Sequence, residues 1–281
     1  MAALQQKGKI VIGVKYDQNG FGLKNPTNNK IEGFDVEMGK LIAQGVYGGT
    51  KDGAESKIEF VETVSKNREA FIRDSKTDVV IATYTINDTR KTQIDFAGPY
   101  YVAHGDVMVK ETDNTIKSVT DLNGKNVCAV QGSTYPASLK TKAPSANVTQ
   151  LDKYSDCTDA LKDNRVAALT TDNVILAGIV QANPGQFKLI NANYTDEPYG
   201  IGIKKGDDTF RTWLNDRIDA LYKSGEWKTA YESTLGKIGL PTPPPPPVDR
   251  YGLSTTTTAS GAGTTVTTAG GTATTVTTAK S

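Results

Sequence analysis

The residues best suited to bind a ligand lie in the stretch Thr83–Tyr101, TYTINDTRKTQIDFAGPYY. It follows the apolar, β-branched run Val79–Ala82, which predicts a short buried strand. Thr83 and Thr85 come directly after this strand, so their hydroxyls and backbone N–H groups are expected to point away from the sheet. Arg90 follows a few residues later, and its planar guanidinium suits a carboxylate held by two hydrogen bonds. The spacing predicts a carboxylate site at this strand end.

The same stretch has a simpler interpretation, in which Arg90 is a solvated side chain on a short helix. Asn87 or Asp88 would cap that helix. A strand then resumes at Ile94–Phe96 and is expected to end at Gly98-Pro99, because both residues interrupt regular structure.

A second candidate site is the turn Gln131–Thr134 (QGST), which connects a predicted strand, Asn126–Val130, to a helix that runs through Lys142. A helix amino terminus offers free backbone N–H groups to an anion. Many strand-to-helix turns have this composition, so an ordinary turn remains the alternative.

The elements that position these residues alternate between strand and helix, which predicts an α/β fold with a mostly parallel sheet. Ligands on such sheets lie at the carboxyl ends of the strands. Three segments follow strands in this way: Lys15–Lys24, Ser65–Arg68 and Thr83–Arg90. The other predicted strands are Lys9–Val14, Lys57–Val64, Val102–Lys110, Asn147–Leu151, Val166–Thr170, Phe187–Ile190 and Pro198–Lys204. The other predicted helices are Gly33–Val46, Asn67–Asp74, Ser155–Lys162 with Ser155 as its cap, Asp172–Gln181, Asp207–Ser224 and Glu226–Leu235.

Composition excludes several classes of function. The 281 residues carry 32 Lys and Arg against 31 Asp and Glu, so no nucleic-acid partner and no polybasic membrane anchor are expected. No apolar run is long enough to span a membrane. The amino terminus lacks a signal peptide, so the protein is either cytosolic or an exported protein whose leader has been removed.

The usual signatures of catalysis and cofactor binding are also missing. A Walker A motif and a G-x-G-x-x-G motif are both absent. His104 is the single histidine and is expected to be structural, so a Ser-His-Asp triad is not indicated. With Cys128 and Cys157 as the remaining soft ligands, no zinc site is expected. We therefore expect no cofactor, no metal and no enzymatic activity.

The composition changes after Leu240. A polyproline spacer, Pro243–Pro247, precedes a segment made almost wholly of Thr, Ala, Gly and Val, Ser254–Lys280. Such a segment lacks the large apolar residues that a core needs. Residues Pro241–Ser281 are therefore predicted to be a disordered or wall-spanning tail that contributes little to stability.

Four segments resemble the type II amino-acid-binding proteins, the solute-binding subunits of ABC uptake transporters: Gly33–Val46, Thr83–Tyr101, Gln131–Thr134 and Thr170–Asn173. The resemblance extends from Lys7 to about Leu240. It implies a two-lobed α/β periplasmic-binding-protein-like type II fold, in which each lobe has a mostly parallel sheet flanked by helices. Lobe 1 would comprise residues 4–106 and 200–240, and lobe 2 residues 107–199. Two crossing strands, near 107–110 and 199–204, would form the hinge.

The resemblance also implies roles for single residues at the ligand's carboxylate. Arg90 is expected to pair with it, and Thr85 to donate a backbone N–H. Ser133 and Thr134 are expected to add backbone N–H groups from lobe 2. Tyr135, the residue after this turn, is bulkier than is usual in the family.

At the ligand's ammonium, the resemblance implies three further contacts. Thr83 would offer its carbonyl, Thr85 its hydroxyl and Asp172 its carboxylate. From the sequence alone, Asp172 is equally well explained as a helix N-cap.

The ligand's side chain is expected to face Lys15 and Arg68, which follow predicted strands. Buried cations favour a ligand carboxylate, and Arg68-Glu69 resembles the Arg-Glu pair of glutamate-binding relatives. Asp17 could accept an amide N–H₂ or offset Lys15, and Arg68 could instead face solvent on its helix. The expected ligand is glutamate first, then aspartate, glutamine or asparagine.

Within the family, the sequence resembles the glutamate-binding lipoproteins of actinobacteria. They carry cysteines at corresponding places, which implies a Cys128–Cys157 disulfide. By the same resemblance, the protein is expected to be an extracytoplasmic monomer, attached to the membrane only through a removed lipid anchor, that delivers an amino acid to an ABC permease. The alternatives are an amino-acid-sensing domain and a dehydratase-like enzyme on the same fold.

Overall fold

The computed structural model describes residues 1–251. Ten α-helices occur within them: α1 (Ala2–Lys7), α2 (Phe34–Tyr47), α3 (Lys51–Glu55), α4 (Arg68–Arg73), α5 (Asp88–Lys91), α6 (Tyr135–Lys142), α7 (Tyr154–Lys162), α8 (Asn173–Ala182), α9 (Asp208–Ser224) and α10 (Glu226–Glu232). Short 3₁₀ helices cover Ser65–Asn67, Val119–Leu122 and Leu235–Ile238. None of the helices in this described range is long and apolar enough to cross a membrane.

The same residues contain twelve strands: β1 (Ile10–Val14), β2 (Asp17–Gln18), β3 (Gly22–Lys24), β4 (Ile31–Glu32), β5 (Ile58–Glu62), β6 (Val79–Val80), β7 (Asp95–Lys110), β8 (Asn126–Val130), β9 (Asn147–Leu151), β10 (Ala168–Asp172), β11 (Phe187–Leu189) and β12 (Asp196–Ile203). The predicted alternation of strands and helices is confirmed. The chain after β1 forms a small antiparallel sheet of β2, β3 and β4, which the sequence did not predict.

The main sheet of the described chain has nine strands in the order β5-β1-β6-β12-β7-β10-β8-β9, with β11 also paired to β7. β1 is parallel to β5 and β6, and β8 is parallel to β9 and β10. β7 and β12 run antiparallel to their neighbours. Two mostly parallel groups of strands are thus joined by β7.

The long strand β7 changes partner between His104 and Gly105. Up to His104 it pairs with β12, and from Gly105 onward it pairs with β10 and β11. We call the strands β5, β1, β6, β12 and residues 95–104 the first half, together with the segments that connect these strands and the helices after β12. The second half comprises residues 105–110, the strands β10, β8, β9 and β11, and the segments that connect them. The change of partner comes a few residues before 107–110, the segment predicted to form one of the two hinge strands.

β7 continues through Gly98-Pro99, so the predicted strand end there is wrong. Ala97 pairs with Ile201 and Tyr101 pairs with Tyr199, so β7 has three residues where β12 has only Gly200, and the register shifts at a bulge in β7 itself. The Gly98 N–H donates to Asn215 Oδ1 at 2.9 Å. A proline inside a strand is tolerated where a bulge absorbs the missing ladder hydrogen bond.

Each half has its own apolar core. The first is rich in aromatic contacts around Phe34, whose ring centroid lies 5.5 Å from that of Tyr231 and 5.9 Å from that of Trp227. The second half contains the Cys128–Cys157 disulfide, with a Cα–Cα distance of 5.6 Å, so the implied pairing is confirmed. This bond joins β8 to α7 inside a buried cluster.

The first residues of the predicted tail are in contact with the first half. The Asp249 N–H donates to the Gly98 carbonyl at 2.8 Å, and the Phe96 N–H donates to Tyr251 Oη at 2.8 Å. Arg250 pairs with Asp216 at 2.7 Å and with Asp219 at 2.6 Å. Asp249 and Tyr251 are thus hydrogen-bonded to β7, and composition did not reveal this because backbone groups and single side chains make the contacts. The rest of the predicted tail lies outside the described residues.

A chain that ends at Leu240 is expected to melt below a chain that ends at Tyr251. The lost hydrogen bonds contribute about 1 kcal/mol each and an exposed ion pair up to about 1 kcal/mol. A loss of about 2 kcal/mol lowers the melting temperature of a domain of this size by about 4–8 °C. Differential scanning calorimetry of the two truncated chains measures this, and equal melting temperatures would show that residues 241–251 do not stabilise the fold.

Candidate functional site

The predicted site residues come together between the two halves. Arg90, on α5, is 6% exposed, and its position is fixed by Asn87, whose Oδ1 accepts the Arg90 backbone N–H at 2.9 Å. Its guanidinium donates to the Thr85 carbonyl at 2.7 Å and to the Gly132 carbonyl at 3.0 Å. The Arg90 side chain also lies 3.3 Å from Glu69. The interpretation of Arg90 as a solvated arginine is therefore wrong.

Arg68 is the second arginine of the site, and it is 2% exposed on α4 rather than facing solvent. It donates to the carbonyls of Ala82 and Thr83 at 3.0 and 3.2 Å, and across the cleft to the Gly132 carbonyl at 3.1 Å. Both guanidinium groups lie over the Tyr84 ring, at 4.1 Å for Arg68 and 4.9 Å for Arg90. This stacking holds the two cations side by side.

Lys15 completes a group of three buried cations. It lies just after β1, and its Nζ donates to Ser65 Oγ at 2.7 Å. Burial and the nearby Arg68 charge lower the pKa of Lys15 to about 7. At neutral pH the ammonium is therefore close to losing its proton, and a nearby anion would favour its charged form.

Asp172 ends β10 and precedes α8, where it occupies the N-cap position without a side-chain capping bond. Its carboxylate instead accepts a hydrogen bond from Tyr135 Oη at 2.7 Å. Burial, and then the charge of Glu197, raise the pKa of Asp172 to about 7. The bulky Tyr135 thus orients the acid that was predicted to bind an ammonium.

Thr85 and Thr134 meet at one carboxylate oxygen of Glu197, on β12. The Thr85 hydroxyl donates to Glu197 Oε2 at 2.7 Å and the Thr134 hydroxyl donates to the same oxygen at 3.1 Å. Thr195 donates to Glu197 Oε1 at 2.9 Å. Because Thr85 belongs to the first half and Thr134 to the second, Glu197 connects both sides of the cleft.

Two predicted residues are occupied by other contacts. The Ser133 backbone N–H donates to the Val130 carbonyl at 3.1 Å, so it is not free for a ligand in this arrangement. Asp17 Oδ2 accepts the Tyr154 N–H at 2.8 Å from across the cleft. Asp17 therefore caps α7, in place of Ser155, because it lies next to the helix start once the halves meet.

Asp35 is a buried acid beneath the site, in the first turn of α2. Its carboxylate accepts the Thr83 N–H at 2.9 Å and the Tyr100 hydroxyl at 2.6 Å. Burial raises its pKa to about 7. Thr83 has a backbone φ of 44°, which β-branched residues seldom adopt, so Asp35 stabilises the turn that presents Thr83.

Asp35 and Glu197 were both missed as site residues. Asp35 lies inside the segment Gly33–Val46 that carried the family resemblance, which was the one available signal, whereas Glu197 lies between Asp196 and Pro198 and had none. His104 is half-exposed and contacts Asp196 at 2.9 Å, away from the cleft. Within residues 1–251, no group of three or more His, Cys, Asp or Glu side chains is arranged to hold a metal ion.

Residues 10–237 match the family of bacterial extracellular solute-binding proteins, family 3, and the protein belongs to that family. It is 38% identical over 236 residues to the ABC transporter glutamine-binding protein GlnH of Bacillus subtilis, which covers 84% of each chain. It is 35% identical over 243 residues to the glutamate-binding protein GluB of Corynebacterium glutamicum, covering 84% of this chain and 81% of that protein.

The fold agrees with solved structures of such proteins. The solute receptor for L-cysteine of Neisseria gonorrhoeae superposes with a TM-score of 0.78 at 33% identity, covering 84% of this chain and 94% of that one. The protein therefore has the two-lobed type II binding-protein fold. These relatives are binding proteins, and this chain is a solute-binding protein rather than an enzyme.

Proposed function

We propose that the protein captures an amino acid between its two halves, with glutamate as the preferred ligand. The observation that carries this proposal is the pair Lys15 and Arg68. Both side chains are at most 3% exposed, and among the described residues neither lies within ion-pair distance of a carboxylate. Their hydrogen-bond acceptors are the Ser65 hydroxyl and backbone carbonyls.

A buried cation without a counter-ion is unfavourable, so this pair favours a ligand that brings a carboxylate. The lowered pKa of Lys15 supports the same conclusion, because a ligand carboxylate would restore its charged form. A neutral glutamine side chain would leave the positive charge uncompensated. Aspartate, glutamine and asparagine therefore rank behind glutamate.

The main-chain groups of the ligand find their partners elsewhere in the cleft. Arg90 would bind the α-carboxylate together with the backbone N–H of Thr85 and Thr134, and Asp172 would bind the α-ammonium beside the Thr83 carbonyl. Lobe 1 is proposed to comprise residues 4–106 and 200–240, and lobe 2 residues 107–199. A ligand that touches both lobes stabilises the closed arrangement.

We further propose that the closed protein delivers its ligand to an ABC permease, as a monomer held at the outer surface by a lipid anchor. The family's extracellular members and the glutamate- and glutamine-binding relatives support this proposal.

Isothermal titration calorimetry with the twenty amino acids tests the function. We expect glutamate to bind most tightly, with a dissociation constant near micromolar, which corresponds to about 8 kcal/mol. Glutamine serves as the neutral control of the same shape. Tighter binding of glutamine, or of a cationic or apolar amino acid, would contradict the preference for glutamate, and no binding at all would contradict the function.

A further inference from the structure

Glu197 is a buried carboxylate whose partners are all hydroxyl groups. It is 2% exposed and accepts hydrogen bonds from Thr85, Thr134 and Thr195. Within residues 1–251, no Lys, Arg or His lies within ion-pair distance of it. Three hydroxyls orient the carboxylate but do not neutralise its charge.

Asp172 is a second carboxylate close to Glu197, and it also lacks a cationic partner among the described residues. The charge of Glu197 contributes to the raised pKa of Asp172. Two like charges in one buried site destabilise each other. This arrangement is stabilised when a cation binds between them.

We propose that Glu197 is a specificity-determining residue that, together with Asp172, selects ligands carrying an α-ammonium group. The inference rests on the proposed function, because the cation that it places between these two acids is the α-ammonium of the bound amino acid. An ammonium has three N–H donors, enough for Asp172, Glu197 and the Thr83 carbonyl. A dicarboxylate without the ammonium, such as glutarate, would add no positive charge next to the two acids and is therefore excluded.

The hydroxyl contacts give Glu197 a second role within the same proposal. Thr85 and Thr134 approach one oxygen of Glu197 from opposite halves, so that oxygen is placed correctly only when both halves meet. Recognition of the ammonium is thereby linked to the closed arrangement.

The test compares Glu197→Gln with the matched control Asp196→Asn. Glutamine keeps the length of the side chain and an oxygen that accepts from Thr85 and Thr134. It removes the charge and replaces the oxygen that accepts from Thr195 with an NH2 group. Asp196 is the neighbouring residue, and its side chain is 83% exposed. Calorimetry measures the affinity of each protein for glutamate and for glutarate.

We expect Glu197→Gln to weaken glutamate by more than about tenfold while glutarate binding stays equal or improves. Asp196→Asn should change both affinities by less than about twofold. Equal losses for the two ligands would show that Glu197 only supports the structure, and an unchanged affinity for glutamate would remove it from the site.

The pH dependence provides a readout that a purely structural role would not move. Asp172 must be ionised to bind an ammonium, so the ratio of glutamate to glutarate affinity in the wild type should fall as the pH decreases through about 7, the pKa of Asp172. The ratio is used because Lys15, whose pKa is also about 7, gains its proton over the same range and favours the side-chain carboxylate of both ligands. Removing the Glu197 charge should lower the pKa of Asp172, so the fall in this ratio should occur at lower pH in Glu197→Gln. An identical pH profile in both proteins would contradict the proposal.

Circular dichroism of the variant checks that it folds, and the wild type supplies a test that needs no variant. Glutamate should bind at least about a hundredfold more tightly than glutarate, and a ratio below about tenfold would overturn the inference. If the wild type binds other amino acids but not glutamate, the same test compares the affinity for each of those amino acids with the affinity for its analogue that lacks the α-ammonium. Absence of any amino-acid binding would instead refute the proposed function.

Discussion

Arg90→Ala is expected to abolish measurable binding of every amino acid while the protein remains folded. Arg90 is the buried cation at the strand end where the α-carboxylate is proposed to bind, and removing one partner of a desolvated charge pair costs on the order of 3–5 kcal/mol. A micromolar ligand binds with only about 8 kcal/mol, so about 3–5 kcal/mol would remain, which is a dissociation constant of about 0.2 to 5 mM. Calorimetry with glutamate and glutamine measures the loss.

Two further variants make this result specific. Arg73→Ala removes an exposed arginine from α4 and should leave affinity within about twofold of the wild type. Arg90→Lys keeps the charge but loses the planar pair of donors, so it should also bind weakly. Binding by Arg90→Ala within about threefold of the wild type would remove Arg90 from the site.

Arg68→Met is expected to weaken glutamate by more than about tenfold, or about 1.4 kcal/mol, and glutamine much less. Methionine keeps an unbranched side chain against Tyr84 but carries no charge for the ligand's side-chain carboxylate. The variant also loses the hydrogen bonds of Arg68 to Ala82, Thr83 and Gly132. The loss of these hydrogen bonds affects the binding of both ligands equally, so the ratio of glutamate to glutamine affinity measures the effect of the Arg68 charge alone.

The matched control is Arg73→Met, the same substitution on the exposed side of the same helix. It should leave the ratio of glutamate to glutamine affinity unchanged. Equal losses for both ligands in Arg68→Met, or no loss for either, would place Arg68 outside the side-chain pocket.

The sequence predicted Lys15, Arg68 and Arg90 at one edge of the sheet because each lies in a segment that follows a strand, and the carboxyl ends of parallel strands meet at one edge. Asp172 was expected at the ligand only from the family resemblance. It did not predict the environment of Asp35 or Glu197. Whether an acid is buried depends on partners distant in the chain, here Tyr100 for Asp35 and Thr134 for Glu197. Local patterns carry no information about such partners.

The same distinction explains the errors in the secondary structure. Gly98-Pro99 would end an isolated strand, but β7 continues through a bulge at this dipeptide, where Asn215, distant in the chain, accepts the Gly98 N–H. Ser155 would cap an isolated helix, but Asp17 takes that place from the other half. The end of the fold was placed at Leu240 because composition cannot show that Asp249 and Tyr251 bond to β7.

The Cys128–Cys157 disulfide has a mechanical consequence for any movement of the halves. It joins β8, whose following turn brings Gly132 to both arginines, to α7, whose first N–H groups bond to Asp17. The two contact points of the second half are therefore fastened to each other and must approach or leave the first half together. Because the disulfide couples the strand to the helix, a displacement at one contact point is transmitted to the other through the second half itself, without involving the ligand.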